Sequence, residues 1–209
     1  MNESEADSLA GADATEPARA GRKRDPAKDG AILAAALQVL AELGYEGTTI
    51  DLVAARANAA RATVYRRWPT KSELIVDAIR ALGANAPAPT LPDTGTVEGD
   101  FRALLASSAR RGNAQPMKII VGLLPALPGN PELAAEVSRQ MIAPQAALIR
   151  ALLQRAQERG EIGAKRNIDM LAQIIPALSA YRAAILNLPM DQDYVDSVID
   201  EIFLPAIRG

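Results

Sequence analysis

The stretch Thr48 to Leu74, TTIDLVAARANAARATVYRRWPTKSEL, decides the reading of the whole chain. It spells two short helices joined by a tight turn, then the start of a third. Thr48 is the expected N-cap of the first, with Asp51 three residues on as the acceptor of a capping box. Ile50, Val53 and Ala54 form its apolar edge. Asn58 marks the turn, because its short amide side chain tolerates the left-handed conformation. The second helix runs from about Arg61 to Arg67. Val64 and Trp68, four apart, point to a core, and Arg61, Thr63, Tyr65 and Arg66 are left on the other sides. Pro69 stops it. Thr70 caps the next helix. Lys71 stands in that helix's first turn, where a cation opposes the dipole unless an anion such as a phosphate lies nearby. Small, hydroxyl and cationic side chains on the second helix of such a pair are the pattern of a helix-turn-helix that enters the major groove of double-stranded DNA.

Upstream, residues 28–43 predict a helix, with Ile32, Ala36 and Leu40 repeating at i, i+4 and i+8 and Leu33, Leu37 and Leu43 beside them. Gly44 is its expected left-handed cap, and Tyr45 lies in the loop against the small domain's core. Residues 1–26 lack periodicity and read as a disordered tail. The tail ends in a basic run, Arg19 to Arg24, which is either simply solvated or an arm that follows phosphates. Charge follows the same division. Residues 1–16 carry −5, residues 17–80 carry +4 (eleven Lys/Arg against seven Asp/Glu), and residues 81–209 carry −1, so a net charge of −2 conceals a basic head.

Downstream, GANAPAPTLPDTGT (83–96), with three prolines, reads as the linker between a head at 27–82 and a larger domain at 97–209. Helices are expected at about 97–111 (Phe101, Leu104, Leu105) and 115–126 (Met117, Ile120, Val121, Leu124). A long one opens at Asn130-Pro131-Glu132, with Leu133, Val137, Met141, Leu148 and Leu152 as its stripe. Pro144 is expected to kink it and Gly160 to end it. Two more follow, at about 168–187 and 192–207. The fold class is therefore all-α: an N-terminal three-helix DNA-binding domain plus a larger C-terminal helical domain.

Absences narrow the chemistry. The chain has no Cys and no His, which excludes disulfides, Cys/His zinc sites, Cys nucleophiles and His-dependent acid–base catalysis. No paired-carboxylate or Ser-Lys signature replaces them, so neither an enzyme nor a cofactor or metal is expected. No apolar stretch approaches a membrane span, and the acidic first residues are unlike a secretory signal; a cytoplasmic protein is expected. An architectural DNA binder of any sequence would be strongly basic overall, against which the isoelectric point of about 5.3 argues.

At Thr49 to Ala54 (TIDLVA), Thr63 to Trp68 (TVYRRW) and Lys71 to Leu74 (KSEL), the chain resembles the TetR family of bacterial transcriptional regulators. Residues 28–75 fit the family's N-terminal pattern closely; the remainder, including NPELAAEV (130–137), fits more loosely. Trp68 replaces the usual Phe, and Asn58 and Ala60 stand where Gly and Ser are common. Without a side-chain cap at Ala60 the recognition helix is expected to fray at its start. The resemblance implies a homodimer on a palindromic operator, and a C-terminal domain that dimerises through its last two helices and holds an inducer; an effector-released repressor is expected, with an activator or a ligand-independent regulator of the same fold as the alternative. It carries DNA contacts onto Thr48 or Thr49, Arg61, Thr63, Tyr65, Arg66, Thr70 and Lys71.

Among these, Arg61 and Arg66 are the expected base readers, because a guanidinium can grip guanine O6 and N7 together. Tyr65, Arg67, Thr70 and Lys71 are expected on phosphates, which position without specifying. The closing helices carry more apolar surface than one bundle needs: Leu171, Ile174, Ile175, Leu178 and Ile185 on one, Val195, Val198, Ile199, Ile202 and Phe203 on the other. Paired with a twin they would form a four-helix interface. Phe101, Met117, Met141 and Tyr181 are candidates to line a cavity for a small, largely apolar effector, although such residues are more often core. Arg182 interrupts its apolar face and either snorkels to solvent, crosses the interface to a carboxylate, or meets an acidic ligand group. The helix at 71–82, with the proline linker, is the expected lever between the domains.

Overall fold

Proline, glycine and asparagine punctuate this chain, and the helices fall between them. The computed structural model describes residues 26–86, 90–110, 114–186, 188 and 191–208. The acidic tail and the basic run Arg19 to Arg24 lie outside the described residues. Helix α1 (Pro26–Gly47) opens on a proline, whose missing amide costs nothing in the first turn. It buries Ile32, Ala36, Leu37 and Leu40, whereas Leu43, read as part of the stripe, faces solvent. The helical path breaks at Gly44, at φ 68°, where the left-handed cap was expected. Helices α2 (Ile50–Arg56), α3 (Arg61–Arg67) and α4 (Lys71–Ala84) follow. Asn58, at φ 48°, makes the turn between α2 and α3.

The second half contains α5 (Val97–Arg110), α6 (Ala114–Leu123), α7 (Pro131–Val137), α8 (Ala143–Glu158), α9 (Ile168–Ala184), α10 (Gln192–Ser197) and α11 (Leu204–Arg208). No strand occurs among the described residues. Asn130 caps α7, its side chain accepting from the Leu133 amide, with Pro131 in the first turn, and Gly160 leaves α8 at φ 78°. In α6 the buried residues are Ile119 and Leu123, one position off the expected stripe, and Leu124 is exposed.

Two wide π turns join helices into longer rods: Ser138–Ile142 between α7 and α8, and Val198–Phe203 between α10 and α11. Each ends just before a proline. The Ala143 amide bonds to the Ser138 carbonyl and the Leu204 amide to that of Ile199, five residues back in both cases. Pro144 and Pro205 supply no amide of their own, and the chain accommodates the gap by widening the preceding turn. Where a kink was expected at Pro144, the helix widens into a π turn just before it. Pro176 lies inside α9, which continues through it.

Two apolar clusters hold the molecule. One contains the inward faces of α1 to α4 and is completed by Ile119 and Leu123 of α6 and Leu133 and Val137 of α7. The other joins Phe101 and Leu104 of α5, Leu152 and Leu153 of α8, Leu171 of α9, and Phe203 and Ile207 near the C-terminus. Helices α6 and α7 therefore pack with the N-terminal head, although they follow the proline linker in sequence. The far end of that linker is pinned as well. Buried Asp100 accepts from the Thr94 amide at 2.6 Å and its hydroxyl at 2.9 Å, and from Arg155 of α8 and Arg159 at its C-cap at 3.1 Å each. Burial alone would raise the pKa of this carboxyl, but the Thr94 bonds and the two guanidinium groups outweigh it and hold it below the ordinary value.

Candidate nucleic-acid interface

The head is assembled by caps and ion pairs whose partners can be named. Thr49, not Thr48, caps α2: its Oγ1 accepts from the Leu52 amide at 3.2 Å. Thr48 is fully buried, and its hydroxyl donates to the Gly44 carbonyl at 2.7 Å. The expected cap thus moves by one residue, because Thr48 closes the broken end of α1, and the capping box is lost, since Leu52 then holds its acceptor position. Of the two threonines, only Thr49 is exposed. Asp51, released from the box, pairs with Arg61 at 3.0 Å.

Helix α3 is two-sided. Val64 and Trp68 are buried, and the indole Nε1 donates to Asp77 of α4 at 2.9 Å. Arg61, Tyr65 and Arg66 are exposed and Thr63 is half-buried. Ala60 starts the helix with no side-chain bond to its free amides, as its methyl group dictates. Arg66 meets no carboxylate among the described residues. Arg67 does not join this face. It turns inward to an ion pair with Asp29 of α1, both side chains largely covered, so its expected place on a phosphate is corrected to a strap between α3 and α1. The signal was present in the sequence: Arg67 lies three residues after Val64 and therefore on the buried flank of the helix. A further strap joins α2 to α1, where Arg56 makes a two-pronged bond to Glu42 at 2.9 and 2.7 Å. That bond lowers the Glu42 pKa.

At the start of α4, Thr70 caps as expected. It accepts from the Glu73 amide at 3.2 Å and donates to the Glu73 carboxylate at 2.8 Å. Lys71 finds a neutral counterpart within the protein. Its Nζ donates to the Tyr45 carbonyl at 2.8 Å and lies 4.2 Å from the centre of the Tyr45 ring, a carbonyl dipole and a π-face both favouring the cation. An external phosphate is thus not required to settle this lysine.

The effector candidates do not converge. Phe101 is fully buried and packs on Phe203, ring centres 4.2 Å apart, inside the C-terminal core. Met141 packs against the other cluster, with the head. Met117 is half-buried on α6, and Tyr181 faces solvent. Arg182 pairs with Asp191 of its own chain at 3.1 Å and stacks over Tyr194 at 4.0 Å. A small crevice lies elsewhere, between Leu105 of α5, Ile175 and Ser179 of α9, and Tyr194, Val195 and Val198 of the last rod. Its free volume is about 10 Å³, room for no more than one water. No sequence signal marks it, because its lining is ordinary helix apolar surface. Among the described residues no helix is long and apolar enough to cross a membrane.

Known proteins match both halves. Residues 32–78 match the family described as bacterial regulatory proteins, tetR family, and residues 91–202 the tetracyclin repressor-like C-terminal domain. An uncharacterised helix-turn-helix transcriptional regulator of Mycobacterium tuberculosis is 35% identical over 192 residues, 90% of this chain and 94% of its own. A DNA-binding transcriptional repressor TetR of Mycobacteroides abscessus is 32% identical over 185 residues, 88% and 96% of the two chains. Among solved structures, a TetR-family regulator from Agrobacterium tumefaciens superposes with a TM-score of 0.68 at 17% identity, covering 88% of this chain and 99% of that one.

Proposed function

Because the chain belongs to the TetR family, and is thus a helix-turn-helix DNA-binding transcriptional regulator and not an enzyme, we propose that it is an effector-released repressor gripping a palindromic operator as a homodimer. The observation that carries this reading is the two-sidedness of α3. Val64 and Trp68 anchor it, while Arg61, Tyr65 and Arg66 face outward. Arg61 and Arg66 read bases; Thr49, Thr63, Tyr65 and Thr70 steady the backbone, with Lys71 beside them. One two-turn helix reads too few base pairs for a useful preference, and two heads about one DNA turn apart suffice. We place the head at residues 27–82, the linker at 83–96 and the effector and dimerisation domain at 97–209.

A small, largely apolar effector opens the crevice between α5, α9 and the last rod. Helix α4 carries the motion to the head, and the packing of α6 and α7 on that head supports such a route. The effector's differential affinity for the two arrangements amounts to about 1–3 kcal/mol. Selection of bound duplexes from a random pool tests the reading. Two copies of one half-site in inverted order are expected; enrichment of a single asymmetric site, or of none, overturns it.

A further inference from the structure

Of the two expected base readers, Arg61 is already engaged. Its Nη1 lies 3.0 Å from Asp51 Oδ2, a contact between the first residue of α3 and the second of α2. The pair sits on the solvent-facing side of the motif, with 72% of the Arg61 side chain exposed. The Asp51 side chain is 42% exposed. Its Oδ1 is buried and meets no hydrogen-bond donor among the described residues, so one oxygen is sealed off and the other faces Arg61. Arg66, farther along the same helix, has no such acid beside it. An acidic group here cancels one positive charge on a surface that must attract phosphates.

Charge and hydrogen-bond donors are separable on a guanidinium. It carries five N–H groups in a rigid fork. Set against a carboxylate through Nη1, the group is neutralised as a whole yet keeps its other donors. Sequence-independent attraction to DNA draws on net charge. Guanine O6 and N7 are neutral acceptors and draw on the donors. We propose that Asp51 is a positioning residue for DNA recognition: it neutralises Arg61 towards phosphates and holds the remaining N–H edge for a base. Arg61 then adds discrimination without adding indiscriminate affinity. The proposal rests on the reading of α3 as the recognition helix.

The test uses the full chain as wild type, Asp51→Asn, Arg61→Ala and the double variant. The probes are a duplex selected by the wild type from a random pool and a scrambled duplex of the same composition, each titrated at several salt concentrations. For Asp51→Asn, affinity for the scrambled duplex is expected to rise by up to about fivefold, the worth of an exposed ion pair. Its salt dependence is expected to steepen by about 0.9 in the log–log slope, one further phosphate. The selected duplex gains less, so the ratio of the two affinities falls. In the Arg61→Ala background the same substitution is expected to leave that ratio unchanged. An equal change of ratio in both backgrounds means that Asp51 only repels DNA and overturns the proposal, as does an unchanged ratio and slope in Asp51→Asn itself. Asp51→Ser, which keeps a hydroxyl in the first turn of α2, is expected to reproduce Asp51→Asn; melting curves show that each variant is folded. A wild type that retains neither duplex removes the recognition helix itself, and the role of Asp51 with it.

Discussion

Arg66 and Arg67 are neighbours in sequence with opposite placements, and their difference comes from helix geometry alone. Arg66 projects from the exposed side of α3; Arg67 follows the buried flank to Asp29. Replacing Arg66 by Ala is expected to cost about 1–3 kcal/mol of discrimination at one base position while leaving stability unchanged. Replacing Arg67 by Ala leaves the largely covered Asp29 carboxylate without its guanidinium and is expected to lower unfolding free energy by about 1–3 kcal/mol. Urea titrations and binding to a panel of single-base variants of a selected duplex separate the two. A base-specific loss in Arg67→Ala with unchanged stability reverses the assignment. These details were legible to different degrees. The core positions Val64 and Trp68 and the turn at Asn58 followed from spacing and side-chain chemistry. The cap expected at Thr48 sits at Thr49, because adjacent threonines offer the same cap and only the path of α1 past Gly44 decides which one is buried.

At the scale of elements, the contact between α1 and α6 depends on two glycines. A Cβ on Gly122 would lie 3.0 Å from the Leu40 carbonyl oxygen and 3.1 Å from the Gly44 Cα, both backbone atoms that cannot swing aside. Gly122→Ala is expected to push α6 off α1 and cost about 1–3 kcal/mol of stability, read from the shift of the urea midpoint; an unchanged midpoint means the helices separate freely there. A second junction joins α4 to the π turn. Glu136 is buried and accepts from Gln140 at 2.9 Å, Arg139 at 2.8 Å and Arg80 of α4 at 3.3 Å. The Gln140 bond above all, with the charges of Arg139 and Arg80, outweighs burial and lowers the pKa of this carboxyl. A carboxyl lowered on folding stabilises the native state above its unfolded pKa, and that contribution disappears as pH falls through the folded value. Stability is therefore expected to decline below about pH 4.5, the ordinary value, and to decline less in Glu136→Gln; parallel curves for the two proteins rule out this carboxyl as a source. Neither junction was legible in the sequence. Helical periodicity says which face of α6 is apolar but not which domain it covers, and a proline announces a disturbed turn without saying on which side of it the helix widens.

For the molecule as a whole, the unresolved quantity in a single chain is apolar surface without cover. Met170 and Tyr181 of α9 and Ile185 at its C-cap recur at helical spacing and are all exposed, Ile185 at 70%, and Ile202 of the last rod joins them at 45%. Soluble monomers rarely leave such a stripe bare, and the two helices that carry it are those whose sequence held more apolar residues than one bundle uses. A twofold partner laying the same two helices against it would close a four-helix interface. Dimerisation then governs recognition through arithmetic rather than contact: two linked heads bind one after the other, the second at the high effective concentration set by the first. Ile185→Glu places a charge at the most exposed residue of the stripe while leaving both heads untouched. It is expected to shift the protein to a monomer in sedimentation and to lower affinity for a two-half-site duplex by about a hundredfold or more, with affinity for a single half-site unchanged. A dimer that survives the substitution places the interface on another face. A monomer that still prefers the paired site as strongly shows that the heads do not need their twin.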